Sequence, residues 1–309
     1  MSNPPEIVAQ FAKYFGDKTH HLFISCPVYS LHHGRIMRIG SSTYLGNGIF
    51  LTATHMLEGT MIDNSADIHG IEGNTMFDDF KDLLTIHLTD QGPIVWKAVQ
   101  IHAHNGKQSD VALMVCEGAD PISKRLIEES NILSHKPVID FHIPNMGGHV
   151  NLHGYAREKD TPEEVYSIEA GTEMFAVEKL PMSVTSGTIE DFHESGIGRP
   201  STYMYQVNAE AIAGMSGGCA SHNGNIFGTV VSSIEPSSDY EKYTTFVSPL
   251  FNLLNIDIDI FQGYKSFYEL CQSGAVKASG LEHIIMNNDG SLEVGLSFLQ
   301  SCGACPYER

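Results

Sequence analysis

Three segments far apart in the chain carry residue types that together could transfer an acyl group. Gly214-Met215-Ser216-Gly217-Gly218 sets a serine among glycines. Phe50-Leu51-Thr52-Ala53-Thr54-His55 is an apolar run ending in a histidine beside small residues. Ser109-Asp110-Val111-Ala112-Leu113-Met114-Val115 opens an apolar run with an aspartate. A serine hydroxyl attacks a carbonyl when an imidazole within hydrogen-bond reach takes its proton, and a carboxylate must hold that imidazole in the right tautomer. Backbone N–H groups must also face the oxygen that becomes negative. Glycines on both sides of Ser216 let the backbone approach a substrate and adopt φ values closed to other residues. Taken singly, each segment has an ordinary structural reading. The serine could be a passenger on a glycine-rich turn, the histidine a satisfied buried ring, and the aspartate a strand-start residue.

The segments that would position these groups read mostly as short strands between turns. His21 to Val28 and Arg35 to Ile39 form a strand pair joined at His33-Gly34. Gly46-Asn47-Gly48 turns into Ile49 to Thr52, and Leu83 to Leu88, Ile94 to Val99 and Val111 to Val115 continue the strand pattern. Pro121 to Asn131 reads as a helix. A second strand-rich stretch follows, with Val150 to Tyr155, Tyr166 to Ile168, Met182 to Ile189, Tyr203 to Val207 and Ile226 to Ser232. Many short strands separated by turns predict a sandwich or barrel. After Pro249 the apolar spacing becomes helical or mixed.

Taken in chain order, G-N-G-I-F-L-T-A-T-H, S-D-V-A-L-M-V and G-M-S-G-G resemble the three catalytic blocks of trypsin-like serine peptidases, nearest to bacterial-type members such as the HtrA and glutamyl-endopeptidase branches. The resemblance extends to Gly148–Tyr155, Val184–Ile189 and Asn223–Ser232, and covers roughly residues 20–249. It implies an all-β fold of two antiparallel six-stranded β-barrels, to which the spacing of Ile7, Val8, Phe11, Tyr14 and Phe15 adds an N-terminal helix and the apolar pattern after Pro249 a helical or mixed C-terminal extension. The expected boundaries are 1–18 for the N-terminal helix, 19–120 for the first barrel, 121–136 for a linker helix, 137–249 for the second barrel and 250–309 for the extension. It further implies that Ser216 is the nucleophile, His55 the general base and Asp110 the residue that steadies His55. The N–H groups of Gly214 and Ser216 would form the oxyanion hole. A bound peptide would pair with the strand holding Val231, Ser232 and Ser233. No cofactor and no metal are required for such chemistry. A base of this kind works with its imidazole neutral, so activity should fall in acid.

Departures from the family pattern bear on regulation and specificity. Met215 stands where trypsins carry an aspartate that pairs with a newly cut N-terminus, so activation by clipping is not expected. Cys219 replaces a common proline and is expected to pack as a small apolar residue. Glu210, six residues before Ser216, falls where the family places the base of its first specificity pocket. A carboxylate there would favour cleavage after Lys or Arg, whereas a solvent-facing glutamate would select nothing.

The bulk composition agrees with a globular chain. It has 309 residues, 42% of them hydrophobic, and a formal net charge of −19. That charge opposes nucleic-acid binding, which needs clustered Lys and Arg. No apolar run reaches the ~18 residues of a membrane span. Residues 1–18 lack the apolar core of a signal peptide, so a cytoplasmic location with reduced cysteines is expected. Cys302-Gly303-Ala304-Cys305 has half of a zinc-site pattern, but no second pair accompanies it. The expected partners are a protein or peptide substrate and a regulatory protein docking on the C-terminal extension. The rival expectation is a catalytically silent member that only binds peptides or partner proteins.

Overall fold

The computed structural model describes residues 24–32, 35–61, 74–78, 83–89, 92–104, 109–129, 136–142, 144–156, 166–167, 182–194, 203–236, 242–254, 256, 258, 266–288 and 292–294. The expected N-terminal helix and the Cys302/Cys305 pair lie outside these. The first half contributes β1 (Ser25–His32), β2 (Arg35–Gly46), β3 (Ile49–Thr52), helix α1 (Thr54–Met61), β4 (Asn74–Asp78), β5 (Leu83–Thr89), β6 (Gly92–His104) and β7 (Ala112–Gly118). Helix α2 (Pro121–Glu129) follows. Then come β8 (Ile139–Asp140), β9 (His149–Tyr155), β10 (Tyr166–Ser167), β11 (Met182–His193), β12 (Met204–Asn208), β13 (Cys219–His222), β14 (Asn225–Ile234) and β15 (Thr244–Pro249). The remainder holds a 3-10 turn at Leu250–Leu253, α3 (Phe267–Gln272), β16 (Ala278–Ser279), a 3-10 turn at Leu281–His283, β17 (Ile284–Met286) and β18 (Leu292–Val294).

Strand pairing closes two rings. In the first, β1, β5, β6, β7, β3 and β2 pair in that order and β2 returns to β1, every pair antiparallel. In the second, β13, β9, β11, β12, β15 and β14 pair in order and β14 returns to β13, again antiparallel throughout. Closure leaves no open edge in either ring. These are the two antiparallel six-stranded β-barrels expected from the sequence. Short strands extend each sheet. β4 pairs with β6, and β8 bridges β14 and β16 in parallel. Tyr166–Ser167, which the sequence pattern assigns to the second barrel, pairs instead with Ile36 and Arg35 of β2. A two-residue strand has too little pattern of its own to specify its partner.

Period-two alternation explains how the barrels join. On β3, Phe50 points into the first barrel, where it packs with Tyr44 and Trp96 at centroid distances of 5.1 and 5.5 Å. Its neighbours Ile49 and Leu51 point the other way and share a core with Val150, Leu152 and Val230 of the second barrel. On β7, Met114 belongs to the first core and Leu113 to the second. A strand buried on both faces reads as an unbroken apolar run, as in I-F-L-T and V-A-L-M-V. His55 follows the first run by three residues and Asp110 immediately precedes the second, at the ends of two strands that contribute to both cores.

Candidate active site

The β3–β7 register brings His55 and Asp110 together. Thr52 lies opposite Ala112 and Leu51 opposite Leu113, so the end of β3 meets the start of β7. The chain then enters α1 with His55 in its first turn, and Asp110 sits two residues before β7. Asp110 holds His55 with both carboxylate oxygens. Oδ1 accepts the His55 backbone N–H at 2.8 Å, and Oδ2 accepts from His55 Nδ1 at 2.7 Å. The first bond satisfies an orphan N–H at a helix start, and the second places the proton on Nδ1. Nε2 then carries the lone pair a general base needs. Asp110 is mostly buried at 13% side-chain exposure, while His55 is open to solvent at 36%.

Ser216 lies on a turn between the 209–213 segment and β13. Residues 212–215 form a β-turn closed by Met215 N–H donating to the Ile212 carbonyl at 3.0 Å. Gly214 has φ +94° at its third position, which makes the turn type II and favours glycine there. Gly217 also has a positive φ, and a Cβ there would collide with the Ser41 carbonyl. The N–H groups of Gly214 and Ser216 donate to no acceptor among the described residues. Two unspent donors, one on this turn and one just after it, are the kind of groups an oxyanion hole uses.

Ser41 of β2 pins this turn to the first barrel, a role the sequence did not single out. Its N–H donates to the Ser216 carbonyl at 2.8 Å, and its Oγ donates to the Gly214 carbonyl at 2.7 Å. The same Oγ accepts the Tyr155 N–H at 2.8 Å, and the Ser41 carbonyl accepts from Thr52 Oγ1 at 2.9 Å. Ser41 is fully buried. A serine in G-S-S-T has no local signal for such a role, because all its partners come from distant segments. Met56, next to His55, completes the junction. A Cβ placed on Gly217 would come within 2.7 Å of Met56 Cε, and one on Gly40 within 2.9 Å of the Ser216 carbonyl. The blocks carrying His55 and Ser216 therefore abut.

Ser216 Oγ donates to the Val231 carbonyl at 3.1 Å. Among the described residues no hydrogen bond joins it to His55. Val231 is the extra residue of a bulge in β14, since Val230 faces Val247 and Ser232 already faces Phe246. A bulge takes its residue out of the ladder, which frees this carbonyl for the serine.

The other expected site residues are placed as follows. Ser232 and Ser233 are exposed on β14, and Ser233 Oγ donates to the Ala211 carbonyl at 2.6 Å. Thr245 Oγ1 donates to the Ala209 carbonyl at 2.7 Å. These two bonds tie the 209–211 segment to β14 and β15. Glu210, between them, is exposed, and its carbonyl accepts from Thr185 Oγ1 at 2.6 Å on the β11 side. No basic side chain pairs with its carboxylate among the described residues. Met215 is fully buried, and its Sδ accepts the Ile212 N–H at 3.4 Å. Cys219 is fully buried, and burial pushes its thiol up to about 11 even though hydrogen bonds with Ser25 and Thr43 act the other way. It packs as a small apolar residue and is no reactive thiol.

No family model matches the chain, and no curated protein matches it by sequence. Solved structures do resemble it. The active form of the Rv3671c protease from M. tuberculosis is 14% identical with a TM-score of 0.45, the match covering 82% of this chain and 85% of that one. The HtrA-type protease AlgW with a decapeptide is 13% identical with a TM-score of 0.47, covering 74% and 62%. The apo MamO protease domain from Magnetospirillum magneticum is 14% identical with a TM-score of 0.44, covering 75% and 95%. At such identities the likeness concerns the fold alone.

Proposed function

We propose that the protein is a serine endopeptidase in which Ser216, His55 and Asp110 cleave peptide bonds through an acyl-enzyme. The observation that carries this is the two-pronged Asp110–His55 couple at the seam of the barrels, abutting a glycine turn with two unspent N–H donors. In this mechanism Ser216 Oγ turns about its Cα–Cβ bond from the Val231 carbonyl towards His55 Nε2. It attacks the scissile carbonyl as the ring takes its proton. The N–H groups of Gly214 and Ser216 hold the oxyanion, and the imidazolium is stabilised by Asp110 before giving its proton to the leaving amine.

A peptide strand pairing with β14 at Val231 to Ser233 would compete with Ser216 for the Val231 carbonyl. Docking would then release the hydroxyl at the moment it is needed, which suits a protease that must stay quiet without its substrate. We place it in a reducing compartment such as the cytoplasm, because four of its cysteines are buried free thiols. Glu210 would select Lys or Arg at the cleaved position. Among the described residues no helix is long and apolar enough to cross a membrane.

The rest position of Ser216 also favours the second reading, a silent member that binds peptides without cutting them. A fluorophosphonate probe separates the two. Labelling of wild type but not of Ser216→Ala supports the peptidase; no labelling with or without candidate peptides removes it. Digestion of a proteome-derived peptide library then tests specificity, since cuts that ignore Lys and Arg, or survive Glu210→Gln unchanged, dismiss Glu210 as the selector.

A further inference from the structure

On the second barrel, away from the catalytic seam, His142, Glu282 and His283 converge. One carboxylate oxygen, Glu282 Oε1, lies 3.6 Å from His142 Nε2 and 3.6 Å from His283 Nε2. The potential ligand atoms of all three side chains fall within 4.8 Å of one another. The two rings meet edge to face, with centroids 4.9 Å apart and planes at 73°. The residues come from two segments, one following β8 and one in the 3-10 turn after β16. Parallel pairing of β8 with β16 holds those segments side by side.

We infer that His142, Glu282 and His283 form a binding site for a divalent transition-metal ion of the zinc type, with Asp140 orienting His142 from behind. The distances argue for this. A separation of 3.6 Å is too long for a hydrogen bond between a carboxylate and an imidazole, which closes to about 2.7–2.9 Å when nothing intervenes. Zinc bonds of about 2.0–2.1 Å in tetrahedral geometry place neighbouring ligand atoms about 3.4 Å apart. The two edges at Glu282 Oε1, 3.6 Å each, lie close to the second figure, and the third lies within 4.8 Å. Two imidazoles and one carboxylate are also a donor set that suits zinc, with the fourth position left to water.

The arrangement behind His142 is a separate observation. Asp140 Oδ1 accepts from His142 Nδ1 at 2.6 Å, so Nε2 carries the lone pair on the side facing Glu282 and His283. Asp140 is itself fixed, by the His142 N–H at 3.0 Å and by Ser279 Oγ at 2.9 Å. Metal-bound histidines commonly give their other ring N–H to a carboxylate in this way. Gly280, whose φ of +77° brings the chain round before Leu281, leaves no room for a side chain, as a Cβ there would sit 2.8 Å from the His142 nitrogen. The ion would clip the C-terminal segment to the second barrel. This departs from the sequence expectation of no metal, because the ligands lie 140 residues apart and only the strand pairing joins them.

The test uses the full chain with Cys302→Ser and Cys305→Ser, so that those thiols cannot hold the ion. After chelation and desalting, zinc is titrated calorimetrically and the retained metal is counted. The expected result is one zinc per chain, lost in His142→Ala and in His283→Ala. Cobalt in place of zinc should give visible absorption of tetrahedral intensity without thiolate charge transfer. Asp140→Asn should weaken zinc roughly 10- to 100-fold. Glu282→Gln alters only an exposed side chain, so it is the decisive variant, with at least tenfold weaker binding expected. Zinc should also raise the melting temperature of this protein but not that of His283→Ala. No retained zinc, or equal zinc affinity in wild type and Glu282→Gln, overturns the proposal.

Discussion

Replacing Ser41 with alanine tests whether the first barrel holds the Ser216 turn in the geometry the proposed mechanism needs. Ser41 Oγ makes two bonds in a fully buried place, to the Gly214 carbonyl at 2.7 Å and from the Tyr155 N–H at 2.8 Å. Alanine removes both and strands a buried donor and a part-buried acceptor. Each buried unsatisfied group costs about 1–3 kcal/mol, and one that water can reach costs less. A stability loss of about 2–4 kcal/mol is expected. The Gly214 carbonyl belongs to the turn whose N–H groups would meet the oxyanion. Losing an oxyanion donor costs on the order of 10²–10³ in kcat, and a loosened turn should cost roughly tenfold or more.

The control is the next residue. Ser42 Oγ is also fully buried, but bonds the Cys26 carbonyl at 3.3 Å and Thr85 Oγ1 at 3.0 Å inside the first barrel. Ser42→Ala should lose stability without touching the turn. Urea denaturation gives the stabilities, and single-turnover acylation by an active-site probe at a temperature where both variants are folded gives the catalytic effect. If Ser41→Ala acylates within twofold of Ser42→Ala, the argument that Ser41 positions the turn is refuted.

Asp110→Asn should leave the fold intact, yet lower kcat on the order of 10⁴-fold by leaving His55 in the wrong tautomer; a loss under tenfold in a peptide-cleavage assay would contradict the assigned role. Native protein treated with iodoacetamide should show no modification of Cys26, Cys116, Cys219 or Cys271, all buried with thiols pushed up by burial, whereas urea should expose all four to peptide mapping. The same shifts set an alkaline limit. Unfolded thiols ionise near about 8.5 while folded Cys219 holds its proton to about 11, so its contribution to stability is complete below the first value and is lost as pH rises towards the second. Cys219→Ala should therefore show a flatter decline of urea midpoint across that window than wild type, and an identical slope would refute the linkage.

Much of this site could be read directly along the chain. The apolar runs ending at His55 and beginning at Asp110 are buried on both faces, and that local pattern survives in any strand order. The glycines around Ser216 announce a backbone that must turn sharply, which is a property of single residues. Strand boundaries were less legible. Thr244–Pro249 and Cys219–His222 lie among turn-forming residues, and pairing with β14 rather than propensity makes them strands.

Sequence alone determined the chemical inventory: a hydroxyl on a glycine turn, an imidazole, a carboxylate and enough alternating strands for two barrels. Which atoms share a hydrogen bond was set by the folded strand register. It gave Ser41 its hold on the Ser216 turn, turned Ser216 towards Val231, and set His142 beside His283. The physical reason is that side-chain type and short-range periodicity are local properties. Hydrogen bonds between residues more than a hundred positions apart exist only once strand register has brought them together.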